Sequence, residues 1–167
     1  MEIVIKKASR EDAAAMLDYL KQIGGETDNL TFGAEGLPLT VEEEARAIEQ
    51  AECSRDEVML VAKDGVRIVG DASLSRLPRR MQHRGDLGIA VLRDYWSRGI
   101  GSRLLGEVIA FAKANAFSVI DLQVRSDNAA AIHLYEKFGF RRIGTHPSFF
   151  RIGNETIPFN YMCLCVQ

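Results

Sequence analysis

Apolar residues along this chain recur with two periods. Ala13, Met16, Leu17 and Leu20 return every three or four positions, the spacing of one helix face. Ser9 precedes that run with Asp12 three residues on, which predicts a capped helix ending near Gly24-Gly25. The apolar triplet Ile3-Val4-Ile5 ahead of it reads as an edge-like strand. Thr40 and Glu43 repeat the capping pattern and open a second helix running to about Gln50. Residues 24 to 40 between them, rich in Gly, Thr and Asn, predict a long loop, and such loops in compact domains usually serve a function.

From residue 57 the pattern changes to strands. Residues 57 to 63 and 67 to 77 flank Asp64-Gly65, a hairpin signal, and 78 to 82 connect to a third antiparallel strand at 83 to 92. Leu104, Leu105, Val108, Ile109 and Ala112 then mark a core-facing helix after Gly101. Residues 118 to 124 predict a short buried strand, and 128 to 137 a helix stopped by Gly139. Residues 140 to 149 and 156 to 166 suggest a last hairpin around Gly153-Asn154. This order predicts a single α/β domain over 1–167 with a mixed sheet. The apolar run Tyr161 to Val166 is expected as an edge strand able to pair across a homodimer.

Composition narrows the function classes. The chain has 167 residues, enough for one domain with a sizeable core, and a formal net charge of −2, which gives no nucleic-acid footprint. No apolar segment approaches membrane-span length, and the charged N-terminal stretch is no secretion signal. Cys53, Cys163 and Cys165 are odd in number and lack framework or zinc-ligand spacing. A reduced, metal-free, cytoplasmic protein is expected. Arg76, Arg79, Arg80 and Arg84 form a basic cluster, either a solvated loop or a rim for an acidic substrate or cofactor phosphates.

The candidate chemistry starts at Tyr95-Trp96-Ser97-Arg98-Gly99-Ile100-Gly101-Ser102, where a strand feeds a glycine turn that opens a helix. Free backbone N–H groups and the positive end of the helix dipole make such a turn an anion cradle. Gly99 and Gly101 let the backbone approach a phosphate, and Arg98 and Ser102 add donors. The third glycine of a dinucleotide fingerprint is absent because position 104 is Leu. The predicted ligand is a phosphate-bearing cofactor.

Together with Asn128-Ala129-Ala130-Ala131-Ile132-His133-Leu134-Tyr135-Glu136-Lys137-Phe138-Gly139-Phe140, this stretch resembles the Gcn5-related N-acetyltransferase (GNAT) superfamily. The superfamily's acetyl-CoA signature is Gln/Arg-x-x-Gly-x-Gly/Ala. Gly99 and Gly101 fill its glycine positions, and Trp96 stands where Gln or Arg is commonest. The resemblance spans residues 83 to 145 and implies a mostly antiparallel mixed sheet with splayed central parallel strands and helices on both faces. It implies acetyl-CoA as cofactor, with the pyrophosphate on Arg98, Gly99, Ile100, Gly101 and Ser102. It also implies backbone contacts from Ile89 and Val91 to the pantetheine arm, and a contact from Asn128. On pattern alone Asn128 is a helix cap, Ile89 and Val91 are core strand residues, and Tyr135 is a core aromatic.

Acetyl transfer to an amine needs a proton removed from the nucleophile and one given to the departing sulfur. The resemblance assigns the second to Tyr135, whose phenol is protonated at neutral pH. Asp86 is the candidate base, with His83 as an alternative. Glu26, Asp28 and Glu35 in the long loop are candidate anchors for the substrate ammonium. The cysteines lack a neighbouring histidine, so direct attack by the amine in a ternary complex is favoured over an acyl-cysteine. The expected activity is N-acetylation of a primary amine on a small metabolite, without nucleic-acid or membrane partners. A protein N-terminal acetyltransferase and a non-catalytic acyl-CoA sensor are the alternatives.

Overall fold

The computed structural model describes residues 2–166. The chain runs β1 (Ile3–Lys7), α1 (Ala13–Glu26), α2 (Val41–Glu52), β2 (Glu57–Asp64), β3 (Arg67–Arg76) and β4 (Arg84–Val91). It continues through α3 (Ile100–Ala114), β5 (Val119–Arg125), α4 (Ala129–Lys137), β6 (Arg141–Ile152) and β7 (Glu155–Cys165). The strands form one sheet in the order β1-β2-β3-β4-β5-β7-β6. Only β4 and β5 pair in parallel; the other neighbours are antiparallel. The mixed, mostly antiparallel sheet expected from the sequence is therefore present.

The helices cover both faces. Tyr19 of α1 reaches Asp71 of β3, whereas a Cβ on the adjacent Gly70 would lie 3.4 Å from Leu104 of α3. Successive strand residues point to opposite faces, so α1 and α3 lie on opposite sides of the sheet. The helix α4 lies beside α3, with Leu134 3.3 Å from the Cβ position of Gly101. Between α3 and the sheet, Leu74, Leu104, Leu105, Val108, Ile120, Leu122 and Met162 are almost wholly buried. Each such side chain contributes roughly 1.5–3 kcal/mol.

Both predicted capping boxes form. Thr40 Oγ1 accepts from the Glu43 N–H at 3.2 Å, and the Thr40 N–H donates to Glu43 Oε2 at 2.8 Å. Asp12 is buried and accepts from the Ser9 N–H (2.9 Å) and Lys63 Nζ (2.6 Å), with Lys6 Nζ at 3.1 Å. Burial alone would raise its carboxyl, but Lys63, the Ser9 amide and Lys6 together hold it well below the usual carboxylate range.

The first helix ends at Glu26, one residue past the Gly24-Gly25 pair near which its end was expected. The glycines also serve packing: a Cβ on Gly24 would lie 2.0 Å from the Gly33 carbonyl oxygen of the following loop. One expectation fails: the terminal apolar strand is not an edge, since β7 is sandwiched between β5 and β6. The edge is β6, whose side chains are exposed from Arg141 to Ser148.

Candidate active site

The site is a fork between β4 and β5. Their parallel pairing covers Arg84↔Val119, Gly85↔Ile120 and Asp86↔Asp121 and then stops, although β4 runs on to Val91. On its other flank β4 stays paired with β3 as far as Gly70↔Val91. Leu77 N–H donates to Arg84 O (3.0 Å) at one end of that ladder, and Leu92 N–H to Val69 O (2.9 Å) at the other. These bonds set the parity: even-numbered residues of β4 direct their backbone polar groups to β3, and odd-numbered ones direct theirs towards β5. Beyond Asp86 the backbones of Ile89 and Val91 therefore face the open fork. Trp96 already occupies part of it, its indole N–H donating to Val91 O at 2.7 Å. An extended amide-bearing arm fits the remaining strand edge.

The cradle lies at the mouth of the fork. Gly99 takes the left-handed conformation (φ 75°) and leads directly into α3, whose N-terminus has no side-chain cap. A left-handed residue followed by a helical one turns successive N–H groups to one side. The first intrahelical donor is the Arg103 N–H, to Gly99 O at 3.1 Å, which leaves the Ile100, Gly101 and Ser102 amides without helix partners. A Cβ on Gly99 would meet nothing within 4 Å, so the space above the cradle is open. These features fit a pyrophosphate. The Arg98 guanidinium lies 4.9 Å from the Tyr95 ring centre, so the cradle is built chiefly from backbone. Tyr95 is itself fixed by donating to Asp64 Oδ2 at 2.8 Å.

Asp86 sits where the pairing ends. It shares a sheet face with its register partners Ser75 and Asp121, and with Gly88 and Ala90 further along β4. This is the α1 side, because Ala90 O and Asp71, paired in register, both meet Tyr19 Oη. Gln123 Nε2 donates to Asp86 Oδ1 at 3.2 Å. Asp121 is buried and paired with Arg84, Nε to Oδ2 at 2.7 Å, whereas Asp86 has no cationic partner among the described residues. Asp86 is open to solvent on one side, yet partial desolvation by the sheet raises its carboxyl above the ordinary value; Gln123 opposes the rise, Asp121 adds to it, and Arg84 lowers it. A carboxylate in that state, without a counter-ion, can accept a proton from an ammonium.

Tyr135 lies on α4, on the other side of the sheet from Asp86. It is buried and packs on Phe140 at 5.7 Å between ring centres. Burial pushes its phenol far above the ordinary value, so it stays protonated. Asn128 caps α4, its Oδ1 accepting from the Ala131 N–H at 3.2 Å.

The other candidates separate. Glu26 Oε2 accepts from the Arg93 N–H (2.9 Å) and its Oε1 from Gln22 (3.1 Å), which ties the long loop to the turn after β4. Glu35 accepts from the Gly33 N–H at 2.9 Å and shapes the loop. His83 is exposed and precedes β4. The basic cluster does not act together: Arg76 clamps Asp56 (2.7 Å) over the Phe117 ring, and Arg84 serves Asp121. Gln123 and the Trp96–Val91 contact were missed by sequence reasoning. Their roles depend on which strand lies beside which, and no motif signals that.

Asp71 and Tyr19 form a further buried polar pair. Tyr19 Oη is 2.8 Å from Asp71 Oδ1 and 3.0 Å from Ala90 O, two acceptors for one hydroxyl proton. Burial, assisted by the charge of Glu44, raises the Asp71 carboxyl to about 6 against the opposing Tyr19 hydrogen bond. The Tyr19 hydroxyl donates to Asp71 Oδ1, and Ala90 O stands as a second acceptor within its reach.

Residues 26–140 match the family model described as acetyltransferase (GNAT) family. The N-alpha-acetyltransferase RimI of Mycobacterium tuberculosis is 40% identical over 92 residues, 54% of this chain and 56% of the relative. The L-amino acid N-acetyltransferase AaaT of Escherichia coli is 38% identical over 87 residues, 51% of this chain and 52% of the relative. The chain thus spans about half the length of the curated relatives it matches. The crystal structure of an acetyltransferase of the GNAT family from Streptococcus pneumoniae superposes with a TM-score of 0.94 at 31% identity, covering 99% of this chain and 100% of that one. With the fork, the cradle and the family match in agreement, this chain belongs to the GNAT acetyltransferase family.

Proposed function

We propose that this chain is an acetyl-CoA-dependent N-acetyltransferase that acetylates a primary amine of a small metabolite. The observation that carries the reading is the fork itself: a phosphate cradle at its mouth, the strand edge of Ile89 and Val91 along it, partly capped by Trp96 at Val91 O, and Asp86 at its base. Acetyl-CoA supplies an activated acetyl thioester. The free amides of Ile100, Gly101 and Ser102, with Arg98 and Gly99 forming the turn, hold its phosphates, and Ile89 and Val91 align its arm. Asn128, the N-cap of α4, keeps its Nδ2 outside the cap hydrogen bond and adds it to the binding of that arm.

The chain's own residues handle the protons. Asp86 Oδ2, free while Gln123 holds Oδ1, takes the proton of the acceptor ammonium, directly or through one water. Tyr135 Oη holds the proton required on the departing sulfur. Direct attack in a ternary complex needs no acyl-cysteine: Cys53 lies on the C-cap of α2, and Cys163, two strands from Asp86 beside Asp121, has its thiol raised chiefly by burial, which disfavours the nucleophilic thiolate. A metabolite rather than a polypeptide acceptor is favoured by the long loop, which is pressed onto α1 at Gly24 and tied to Arg93. That arrangement fixes the loop beside the turn that follows β4, at the open end of the fork. The similarity to RimI supports the second reading, acetylation of a protein N-terminus, and the similarity to AaaT supports the first.

Two variants test the assignment. Tyr135→Phe is expected to leave acetyl-CoA affinity unchanged and lower kcat by about tenfold or more. Asp86→Asn is expected to lower kcat/KM for the amine by about a hundredfold and abolish the acid limb of its pH profile. Unchanged kinetics in either variant would remove that residue from the mechanism. No helix among the described residues is long and apolar enough to cross a membrane. We assign the protein to the cytoplasm, which fractionation tests directly; with β7 inside the sheet, the strand pairing expected across a homodimer is not available, and sedimentation analysis tests the oligomeric state.

A further inference from the structure

The face of the sheet that carries Asp86 is covered unevenly. The helix α1 packs on β3 and α2 on β2, which leaves that face of β5, β7 and β6 without a helix layer among the described residues. The uncovered part is aromatic. Gln123, the partner of Asp86, is paired in register with Tyr161, and Arg125 with Phe159, so both rings share its face. Phe149 from β6 stacks on Phe159 at 4.5 Å and meets Tyr161 edge-on at 6.1 Å, and Phe150 lies 4.4 Å from Phe159. Phe159 is buried beneath the others, whereas Phe149, Phe150 and Tyr161 remain part-exposed. Opposite Tyr161 the edge strand carries Gly144, where a Cβ would meet nothing within 4 Å, so the flank of the Tyr161 ring is open.

This patch is continuous with the proposed reacting centre. Asp86, Gln123 and Tyr161 stand on three successive strands, with Gln123 and Tyr161 two residues beyond the Asp86 register row, so at ~4.8 Å per strand and ~3.3 Å per residue the Tyr161 backbone lies about 12 Å from that of Asp86. One end of the run offers a carboxylate without a counter-ion, suited to an ammonium. The other offers aromatic faces and edges, suited to a flat or bulky apolar group. We propose that the acceptor carries a large apolar or aromatic group beside its amine, and that Phe149 and Tyr161, backed by Phe150 and Phe159, receive it. The proposal rests on the acetyltransferase reading above and deepens it by naming the acceptor class.

The test compares L-phenylalaninamide with L-alaninamide, two acceptors with the same amine and different side groups. Coenzyme A thiol release is followed for the intact protein and for Phe149→Ala. The native protein is expected to favour phenylalaninamide by about tenfold or more in kcat/KM. In F149A that ratio collapses towards one through KM, with KM for acetyl-CoA unchanged. Phe149→Leu serves if F149A melts early, and it retains an intermediate ratio. A native ratio near one, or a ratio unmoved in the variants, overturns the proposal. So does a change in sedimentation of F149A with the ratio intact, which would mark the patch as a contact between two copies. Turnover of neither amide, nor of any other primary amine, would instead sink the acetyltransferase reading itself.

Discussion

Adjacent glycines near the end of α1 provide a matched pair for testing how the long loop is held. Gly24 and Gly25 are both helical, and replacing either with Ala should gain roughly 0.5–1 kcal/mol from helix propensity and a less flexible unfolded chain. Their surroundings differ. At Gly25 a Cβ would sit 3.4 Å from Ala34 Cβ, ordinary contact, whereas at Gly24 it would sit 2.0 Å from Gly33 O and 2.7 Å from Gly33 C. The Gly33 backbone must therefore retreat by more than an ångström, an overpacking cost of roughly 1–3 kcal/mol. Gly25→Ala should melt slightly above the native protein, and Gly24→Ala below Gly25→Ala by about 1–3 kcal/mol. That gap corresponds to roughly 3–10 °C for a domain of this size. Because the displaced loop borders the Asp86 side of the sheet, Gly24→Ala should also raise KM for the amine and leave acetyl-CoA affinity alone. Paired thermal melts and steady-state kinetics read both effects. Equal melting temperatures for the two variants would refute the claim that Gly33 is seated on Gly24.

Other consequences follow from the buried carboxylates. Asp71, raised to about 6 in the fold, binds its proton more tightly folded than unfolded, so its contribution is complete at low pH and is lost as pH rises through about 6. Asp71→Asn, which removes the charge and keeps an oxygen to accept from Tyr19, should exceed the native protein in stability by about 2 kcal/mol at pH 8 and lose that advantage near pH 4 in urea titrations. Asp12 has the opposite sign: its carboxyl is depressed, so its contribution is present above the unfolded value of about 3.9 and fades as pH falls. Asp12→Asn should cost about 2–4 kcal/mol at neutral pH and flatten the acid loss of stability. Gln123→Leu removes the hydrogen bond that holds the Asp86 carboxyl down, so the acid limb of kcat/KM should move to higher pH while far-ultraviolet dichroism is unchanged. An unmoved limb would mean that Asp86 is not the titrating group.

Local chemistry was legible in the sequence, and spatial neighbours were not. Capping at Ser9/Asp12 and Thr40/Glu43 and the glycine turn at Gly99 each depend on residues a few positions apart, and each is present. The Leu104-to-Ala112 stripe is likewise buried, apart from the half-buried Ile109. The end of α1 near Gly24-Gly25 was legible from the poor helix propensity of glycine, whereas the contact of Gly24 with Gly33 was not. The strand order defeated the reading of Tyr161 to Val166, since β7 inserts beside β5 before the chain's earlier β6 completes the sheet. Glu26 looked like a free anion in a polar loop, but Arg93, 67 residues away, claims it. Gln123 lacked any local signal, and its meaning comes only from standing next to Asp86.

The most direct test of the account is coenzyme A thiol release from acetyl-CoA by the purified protein, run with and without primary amines and repeated with Asp86→Asn. The account predicts release that depends on the amine, saturates with it, and falls by about a hundredfold in the variant while acetyl-CoA still raises the melting temperature of both proteins. Acetyl-CoA binding without amine-dependent release, across free amino acids, their amides, polyamines and short peptides alike, would contradict it and leave the fork as a binding site only.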